Sequence, residues 1–488
     1  MRRHRRDHPL TRGRRASAVK LLLAGLLIAA FVIRLVYVDN TYYKAINDAG
    51  TYNRFGSNVA QYGDYHTGSG PHTGAGGSRG RTAYFPPAFP YFLGLTDLID
   101  GHQAGGKAAL GPERVAMAVI GTLSVGLLGL VAFEAFGGAV AVAAVAIAAV
   151  YPVFVELSGT LVAENLLLVL ELASIWTALR ARRAGGSRFP GTVYLWIATT
   201  GVLAGLATLA HENAALFALP LGVASWSALR ARAPTGTRRP GLRALAGPAL
   251  LVVCACAMIA PWTIRNAIEL HHFVPVSDET GITLVGTYNA DSAAAEPLHY
   301  KWDLYLKLPE FKALAKHASR YDEVGLSGVL QSRALDYIGA HPLSPLDVGF
   351  HNTLRMFELE GSFAWHASYA AISLPARAAR IGVVSFWALL ALAIAGLFTS
   401  VRREAPGWLW AFPVLYWLSV TFINLETPRF REPIDPFFIL LAACAVATAA
   451  HGALKRLGLG GAPVRRRGRA SELAGDHAEL VKVVKRLA

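Results

Sequence analysis

The chain has 488 residues, 53% of them hydrophobic and only 16% charged, a balance too apolar for an ordinary soluble protein and suited to a membrane. Its net charge of +15 would fit a nucleic-acid partner, but 28 of the 47 Lys and Arg residues cluster at Arg2 to Lys20, Arg180 to Arg188, Arg230 to Arg243, Arg402 and Arg403, and from Lys455 onward; such clusters mark cytoplasmic loops and tails, not a nucleic-acid groove. Apolar runs recur along the whole chain, which excludes a secretory signal alone.

In chain order, residues 1–20 are a basic cytoplasmic tail and Leu21 to Val38 is the first span. Residues 40–114 form a first outer loop. Near its start Asp48 stands in Ile46-Asn47-Asp48-Ala49-Gly50-Thr51-Tyr52, where a carboxylate at the membrane boundary could take a proton from the hydroxyl of a substrate lying alongside. The plainer reading of Asp48 taken alone is a solvated cap on a helix beginning near Ala49. Thr67 to Arg81, rich in Gly, Ser and His, has too few apolar residues to pack. Tyr84 to Phe92 carries Pro86, Pro87 and Pro90 among aromatics, which argues against one continuous helix and for a segment lying at the headgroups.

Further apolar stretches run from Val115 to Phe136, Ala139 to Val155, Leu161 to Leu179, Val193 to Leu209, Ala214 to Trp226 and Gly247 to Trp262. Ile381 to Phe398, Trp408 to Asn424 and Pro436 to Ala450 complete the series. Lipid leaves each segment to satisfy its own backbone, so the expected fold is an all-α polytopic membrane protein with about ten transmembrane helices. Threading them from a cytoplasmic N-terminus puts every basic cluster and both termini in the cytoplasm, and two large loops on the outer face. The expected division is a tail (1–20), an N-terminal transmembrane module that holds the first loop (21–262), a large outer loop domain (263–380), C-terminal helices (381–450) and a basic cytoplasmic tail (451–488). Within that tail, Leu473 to Leu487 reads equally as an amphipathic helix on the inner leaflet and as a solvated basic stretch. Cys254, Cys256 and Cys444 lie in apolar runs and read as small packing residues.

Charged groups inside or beside the spans are the candidates for chemistry. Glu164 lies near the outer end of the fourth span, with Glu156 before it and Glu171 one heptad after it on the same face. His211-Glu212-Asn213 is a short outer turn that could hold a phosphate or a metal, or be only a hydrophilic turn; two ligands are too few for a metal site. Arg265, in Pro261-Trp262-Thr263-Ile264-Arg265-Asn266, and Arg429 and Arg431, in Thr427-Pro428-Arg429-Phe430-Arg431-Glu432-Pro433, are arginines on the outer face. Facing one cavity they would grip phosphate oxygens; singly they would snorkel to lipid headgroups.

Taken in order, several pieces resemble the GT-C class of membrane glycosyltransferases, in the glycosyltransferase family 39-like branch of protein O-mannosyltransferases and lipid A aminoarabinose transferases. Asp48-Ala49-Gly50-Thr51-Tyr52, Ala60-Gln61-Tyr62-Gly63-Asp64-Tyr65 and Pro86-Pro87-Ala88-Phe89-Pro90 look like the branch's first outer loop, and Ser158-Gly159-Thr160-Leu161-Val162-Ala163-Glu164 is similar to its second. Ala260 to Asn266, with Phe273 to Ser277 and Gly281-Ile282, looks like its seventh-span exit. Ala334 to Ile338, His341-Pro342 and Arg429 to Pro436 complete the series. His211 stands where the family often has arginine, and Thr67 to Arg81 looks like an insertion.

The resemblance implies sugar transfer, hexosyl or pentosyl, from a polyprenyl-phosphate donor to a lipid, glycan or protein acceptor, on the outer face of the cell membrane. Asp48 matches the family's catalytic carboxylate. Arg265, Arg429, Arg431 and His211 are the expected donor-phosphate ligands, Glu164 and Glu212 the supporting acids, and a divalent cation is left open as cofactor. The competing expectation, a transporter or lipid flippase, calls for a site near the bilayer midplane and for internal repeats. No convincing repeat is visible, and the candidate polar groups gather at one face.

Overall fold

The computed structural model describes residues 9–67, 80–100, 111–185, 189–232, 240–424 and 426–457. The expected amphipathic stretch from Leu473 to Leu487 lies outside them, as does the middle of the expected insertion. The described chain is helical: α1 (Pro9–Asn40), α2 (Asn47–Tyr62), α3 (Ala88–Asp100), α4 (Gly111–Ala135), α5 (Gly138–Val150), α6 (Pro152–Leu157), α7 (Glu164–Ala184), α8 (Pro190–Ala210), α9 (Ala218–Arg230), α10 (Pro240–Arg243) and α11 (Ala246–Leu270). Six short or amphipathic helices follow: α12 (Thr280–Thr287), α13 (Ala290–Ala294), α14 (Lys312–Lys316), α15 (Glu323–Ala340), α16 (Ser344–Met356) and α17 (Ser362–Ala371). The last three are α18 (Ala376–Leu397), α19 (Ala411–Thr421) and α20 (Asp435–Arg456).

Each of the ten expected stretches falls on helix, and six helical segments are long and apolar enough to cross a membrane: Val19–Asn40, Gly111–Ala135, Gly191–Ala210, Gly241–Leu270, Ala376–Leu397 and Asp435–Arg456. The other four expected spans lie on helices that are short, as α5, α9 and α19 are, or that carry buried carboxylates, as α7 does at Glu164 and Glu171. The last turns of α7, α9 and α20 hold Arg182 and Arg183, Arg230, and Lys455 and Arg456. The loops that carry the candidate residues meet the opposite ends of α7 and α20, away from these basic turns.

The first loop folds into a body of its own. α2 and α3 cross so closely that a side-chain carbon on Gly94 would sit 2.7 Å from the Gly56 carbonyl oxygen, and one on Gly56 would sit 2.8 Å from Leu93 Cβ. Only hydrogen fits at this crossing. Around it Tyr52, Phe55, Tyr65, Phe85 and Phe89 form a buried aromatic cluster, with Tyr52 and Phe85 ring centroids 4.4 Å apart. Phe85 and Phe89 therefore point into protein. The prolines at 86 and 87 precede α3 and Pro90 occupies its first turn, the part of a helix where a missing N–H costs least. The expected insertion leaves this body through a stem: His66 and Arg81 bridge, Thr67 N–H donates to the Gly80 carbonyl (3.1 Å), and Arg81 pairs with Asp64 (2.9 Å) and Glu269.

Within the segment after α11, Ile282, Val285, Tyr305, Leu326 and Leu330 belong to a further buried cluster that extends to Val348. It is tied to the first-loop body by Glu323, which accepts from Thr82 Oγ1 (2.5 Å) and Ala83 N–H (2.8 Å), and by Asp278 N–H, which donates to the Ala83 carbonyl (2.9 Å).

Candidate active site

Asp48 lies in the first turn of α2, where a carboxylate is favoured by the unpaired N–H groups of the helix start. The residue before it, Asn47, adopts φ 50°, a left-handed conformation that asparagine tolerates better than most side chains. Its amide nitrogen donates to the Ala371 carbonyl at 2.9 Å, pinning the turn that aims Asp48.

Glu164 is the first residue of α7 and fully buried. The chain before it is held by two buried arginines. Arg34 donates to Ser158 Oγ (3.1 Å) and to the carbonyls of Ala30, Ala148 and Ala149, and Arg114 donates to the carbonyls of Gly159 (2.9 Å), Val38 (3.0 Å) and Thr41 (2.7 Å). The Tyr43 hydroxyl adds an acceptor for Leu161 N–H at 3.1 Å. All the donors these arginines use here go to protein oxygens, so they act as ties that fix where α7 begins.

Arg429 occupies a single 3-10 turn, Arg429–Arg431, just before α20. Its Nη1 donates to Asp48 Oδ2 at 2.7 Å and its Nε to Glu164 Oε1 at 2.8 Å, and the guanidinium lies over the Phe430 ring. Three segments far apart in sequence thus meet at one cation. Asp48 keeps 39% of its side chain exposed, whereas Glu164 has none exposed, so the cluster grades from solvent to interior. Among the described residues, Asp48 Oδ1 and Arg429 Nη2 have no hydrogen-bond partner. Glu164 Oε2 is buried without a partner beside them.

His211 packs edge-on to Tyr416 and Phe430, ring centroids 6.2 Å away in each case, with a buried Nδ1 that lacks a partner. Burial holds its imidazole below the ordinary histidine range, against the pull of Glu164 and helped by Arg429. A neutral ring offers a hydrogen bond and no charge to a phosphate. Glu212 accepts a hydrogen bond from Ser277 Oγ at 2.5 Å. Next to it lies Glu279, a residue the sequence reading passed over. Burial, then Glu212 and Asp48, push its carboxyl well above the ordinary range, while Arg429 opposes them. Its one visible signal was its place two residues after the Phe273 to Ser277 stretch.

The other two expected phosphate ligands are used elsewhere. Arg265 Nη1 and Nη2 donate to the carbonyls of Thr82 and Tyr65 at 2.7 Å each, and its guanidinium stacks over Trp262. Its neighbours in the same motif do similar work: Trp262 Nε1 donates to the Val276 carbonyl (2.7 Å), Thr263 Oγ1 to that of Pro275 (2.8 Å) and Asn266 Nδ2 to that of Val274 (3.0 Å). The seventh-span exit is therefore a clamp on the returning chain and the first loop. Arg431 is wholly buried, bound to Glu358 Oε1 (2.6 Å), Asp435 Oδ1 (3.2 Å) and the Met356 carbonyl, with the Phe386 ring against it and Tyr151 donating to Asp435. The side chain expected to bind the donor phosphate is thus 0% exposed and enclosed by protein groups. Among the described residues, no three His, Cys, Asp or Glu side chains gather as metal ligands, so Glu164 and Glu212 are not joined in such a group.

One acid at the edge of the site offers a stability test. Burial, aided by Glu323, pushes the Asp278 carboxyl up to about 7. Its ionisation therefore opposes folding: the stability gained by keeping it protonated is whole below its unfolded pKa near 4 and is lost as pH rises toward about 7. Asp278→Asn should remove roughly 2 kcal/mol of the stability difference between pH 5 and pH 8, read as a flatter dependence of thermal unfolding on pH. An equal fall in both proteins would show that this carboxyl is not what titrates.

A family profile described as dolichyl-phosphate-mannose-protein mannosyltransferase matches residues 85–264, a stretch that contains Glu164, His211 and Glu212 but neither Asp48 nor Arg429. Curated protein sequences give no match. Among solved structures, the chain is similar to the archaeal oligosaccharyltransferase AglB of Archaeoglobus fulgidus in complex with an inhibitory peptide and a dolichol-phosphate. That likeness has a TM-score of 0.57 at 13% identity and covers 96% of this chain and 54% of that one. It is also similar to the Archaeoglobus fulgidus oligosaccharyltransferase tethered to an acceptor peptide containing the NVT sequon (TM-score 0.53, 14% identity, 94% and 53% covered). The chain spans about half the length of these proteins. What they share with it is the fold, an all-helical membrane architecture of the GT-C type.

Proposed function

We propose that this chain, built on the GT-C fold, is a membrane glycosyltransferase that moves a sugar from a polyprenyl-phosphate donor to an acceptor hydroxyl on the outer face of the membrane. The observation that carries the reading is the junction of Asp48, Arg429 and Glu164, a half-exposed carboxylate and a buried, doubly anchored guanidinium at the loop-bearing end of the helices. Its support from comparison is the mannosyltransferase profile and the dolichol-phosphate in the AglB structure.

In this mechanism the free oxygen of Asp48 takes the acceptor hydroxyl proton as the hydroxyl oxygen attacks the anomeric carbon. The bond from that carbon to the phosphate oxygen breaks on the opposite side, so the sugar is inverted, and the negative charge leaves on the polyprenyl phosphate. Arg429 meets that charge with Nη2, and Glu164 keeps the guanidinium oriented. The proton on Asp48 then passes to water. A donor held by its tail in lipid presents only its head to the pocket, which lowers the entropic cost of bringing the two reactants together.

The test is transfer by the purified full chain in nanodiscs, from synthetic polyprenyl-phosphate mannose and polyprenyl-phosphate arabinose to glycoside, peptide and glycolipid acceptors. The expected product has the opposite anomeric configuration to the donor, read by NMR. Retention of configuration would sink the single-displacement mechanism, and no transfer with any pair would sink the assignment. A transporter is the weaker reading because the charged cluster sits at helix ends, away from the middle of the spans.

A further inference from the structure

Helix α16 carries large apolar side chains on both its buried and its exposed face. Its inner face packs Val348 and Met356 together with small and polar residues: Gly349 lies against Phe422, Asn352 Nδ2 donates to the Thr421 carbonyl at 2.8 Å, and Arg355 pairs with Glu360. Its outer face presents Leu346 and Phe350, each more than 60% exposed. Leu343 just before the helix, and Leu359 and Phe363 just after it, extend the apolar stripe to the start of α17 with 59–68% exposure. A stripe of this kind facing water would be costly, since a helix bordering water normally presents a polar face to it.

The neighbours say what covers it. On α19 and at the residue that caps it, Val414, Leu418 and Phe422 form an exposed row four residues apart, as a helix facing lipid would, and the row ends where α16 packs. Ile381 and Val384 are likewise exposed on α18, one of the membrane-long helices. Trp365 and Trp387 sit edge to face at the junction, with centroids 5.5 Å apart and indole N–H groups on the carbonyls of Glu358 and Phe357, and exposed Arg377 and Arg380 begin α18 beside them. Tryptophan and arginine bordering an apolar surface are the chemistry of the headgroup layer.

We propose that α16 and the start of α17 lie in the outer leaflet, with the stripe from Leu343 to Phe363 among lipid acyl chains, as a foot on which residues 263–380 rest. The foot is tied to the site's rear wall, because the carbonyl of Met356 and the carboxylate of Glu358 both hold Arg431. The inference stands whether or not the chain transfers sugars.

The experiment uses the full chain in phosphatidylcholine nanodiscs, with Cys254, Cys256 and Cys444 replaced by Ala and a nitroxide attached at Phe350→Cys, at Leu346→Cys, or at Arg333→Cys on the exposed side of α15. Collision with oxygen should exceed collision with nickel-EDDA at positions 350 and 346, by at least about threefold relative to position 333, placing both labels roughly 5–10 Å below the headgroups. Dominant nickel-EDDA collision at 350 and 346 would mean that the stripe faces water and would overturn the proposal. So would low collision with both reagents, which would mean that a second copy or another protein covers it. Should the variants misfold, the unsubstituted chain is labelled with a membrane-partitioned carbene reagent. Label on the peptide spanning 343–363 supports the proposal, and its absence there, with label on α18, overturns it.

Discussion

Asp48→Asn is expected to lower sugar transfer by roughly 10²- to 10⁴-fold while leaving the affinity for a short-chain polyprenyl phosphate nearly unchanged. Asparagine keeps the shape of aspartate and still offers an oxygen to Arg429 Nη1, so the 2.7 Å contact that joins α2 to the turn before α20 has a neutral replacement. What the amide cannot do is accept a proton at neutral pH. The loss should therefore fall on kcat, measured from initial rates at saturating donor, and not on donor binding, measured by titration. Asp48→Glu should recover only part of the rate, because the extra methylene moves the oxygen relative to the reacting carbon. Transfer that survives undiminished in the asparagine variant would remove Asp48 from its role.

The second large effect lies two residues from the site's cation and concerns stability. Arg431→Ala leaves Glu358 and Asp435, with at most 1% of either side chain exposed, facing each other without a counter-charge. Removing one partner of such a group typically costs about 3–5 kcal/mol. The expected result is a fall of many degrees in the apparent thermal midpoint in detergent, with loss of folded protein and no selective change in donor affinity. Arg431→Met combined with Glu358→Gln and Asp435→Asn should recover most of the midpoint, since the unpaired charge is then gone. A single Arg431→Ala variant that melts as the wild type does, yet fails to bind polyprenyl phosphate, would return Arg431 to the list of phosphate ligands.

How much of this was legible in the sequence differs between fold and site. Hydropathy located helix at all ten expected stretches because lipid solvation acts on every residue of a span, so the signal accumulates over its length. Asp48, Glu164 and Arg429 were each noticed for a local reason, a charge beside apolar sequence. Their meeting was not visible, since nothing in residues 48, 164 and 429 encodes which carboxylate faces which guanidinium. Arg429 and Arg431 are alike in sequence and opposite in fate: a tight turn sends one toward Asp48 and the other into a fully buried ion cluster. Arg265 is a related case. An arginine that binds backbone carbonyls leaves no complementary charge in the sequence to announce it. Arg34 and Arg114 lie inside or beside apolar runs, where a lone arginine does not reveal which backbone carbonyls it ties. The segment from 263 to 380 read as a loop because its helices are short and its apolar residues are divided between an inner core and an outer stripe.

In the resting site Arg429 is already neutralised by two carboxylates, Asp48 and Glu164. A sugar phosphodiester brings one negative charge to it, whereas the phosphate monoester left after transfer carries about −1.5 to −2 at neutral pH. While Asp48 holds the acceptor proton, Arg429 keeps only Glu164 as counter-charge and can hold the spent lipid; once that proton has passed to water, the pocket meets the spent lipid with more repulsion than it met the incoming one. Turnover on this scaffold would be helped along by product expulsion, and the spent carrier should be a poor inhibitor for its charge.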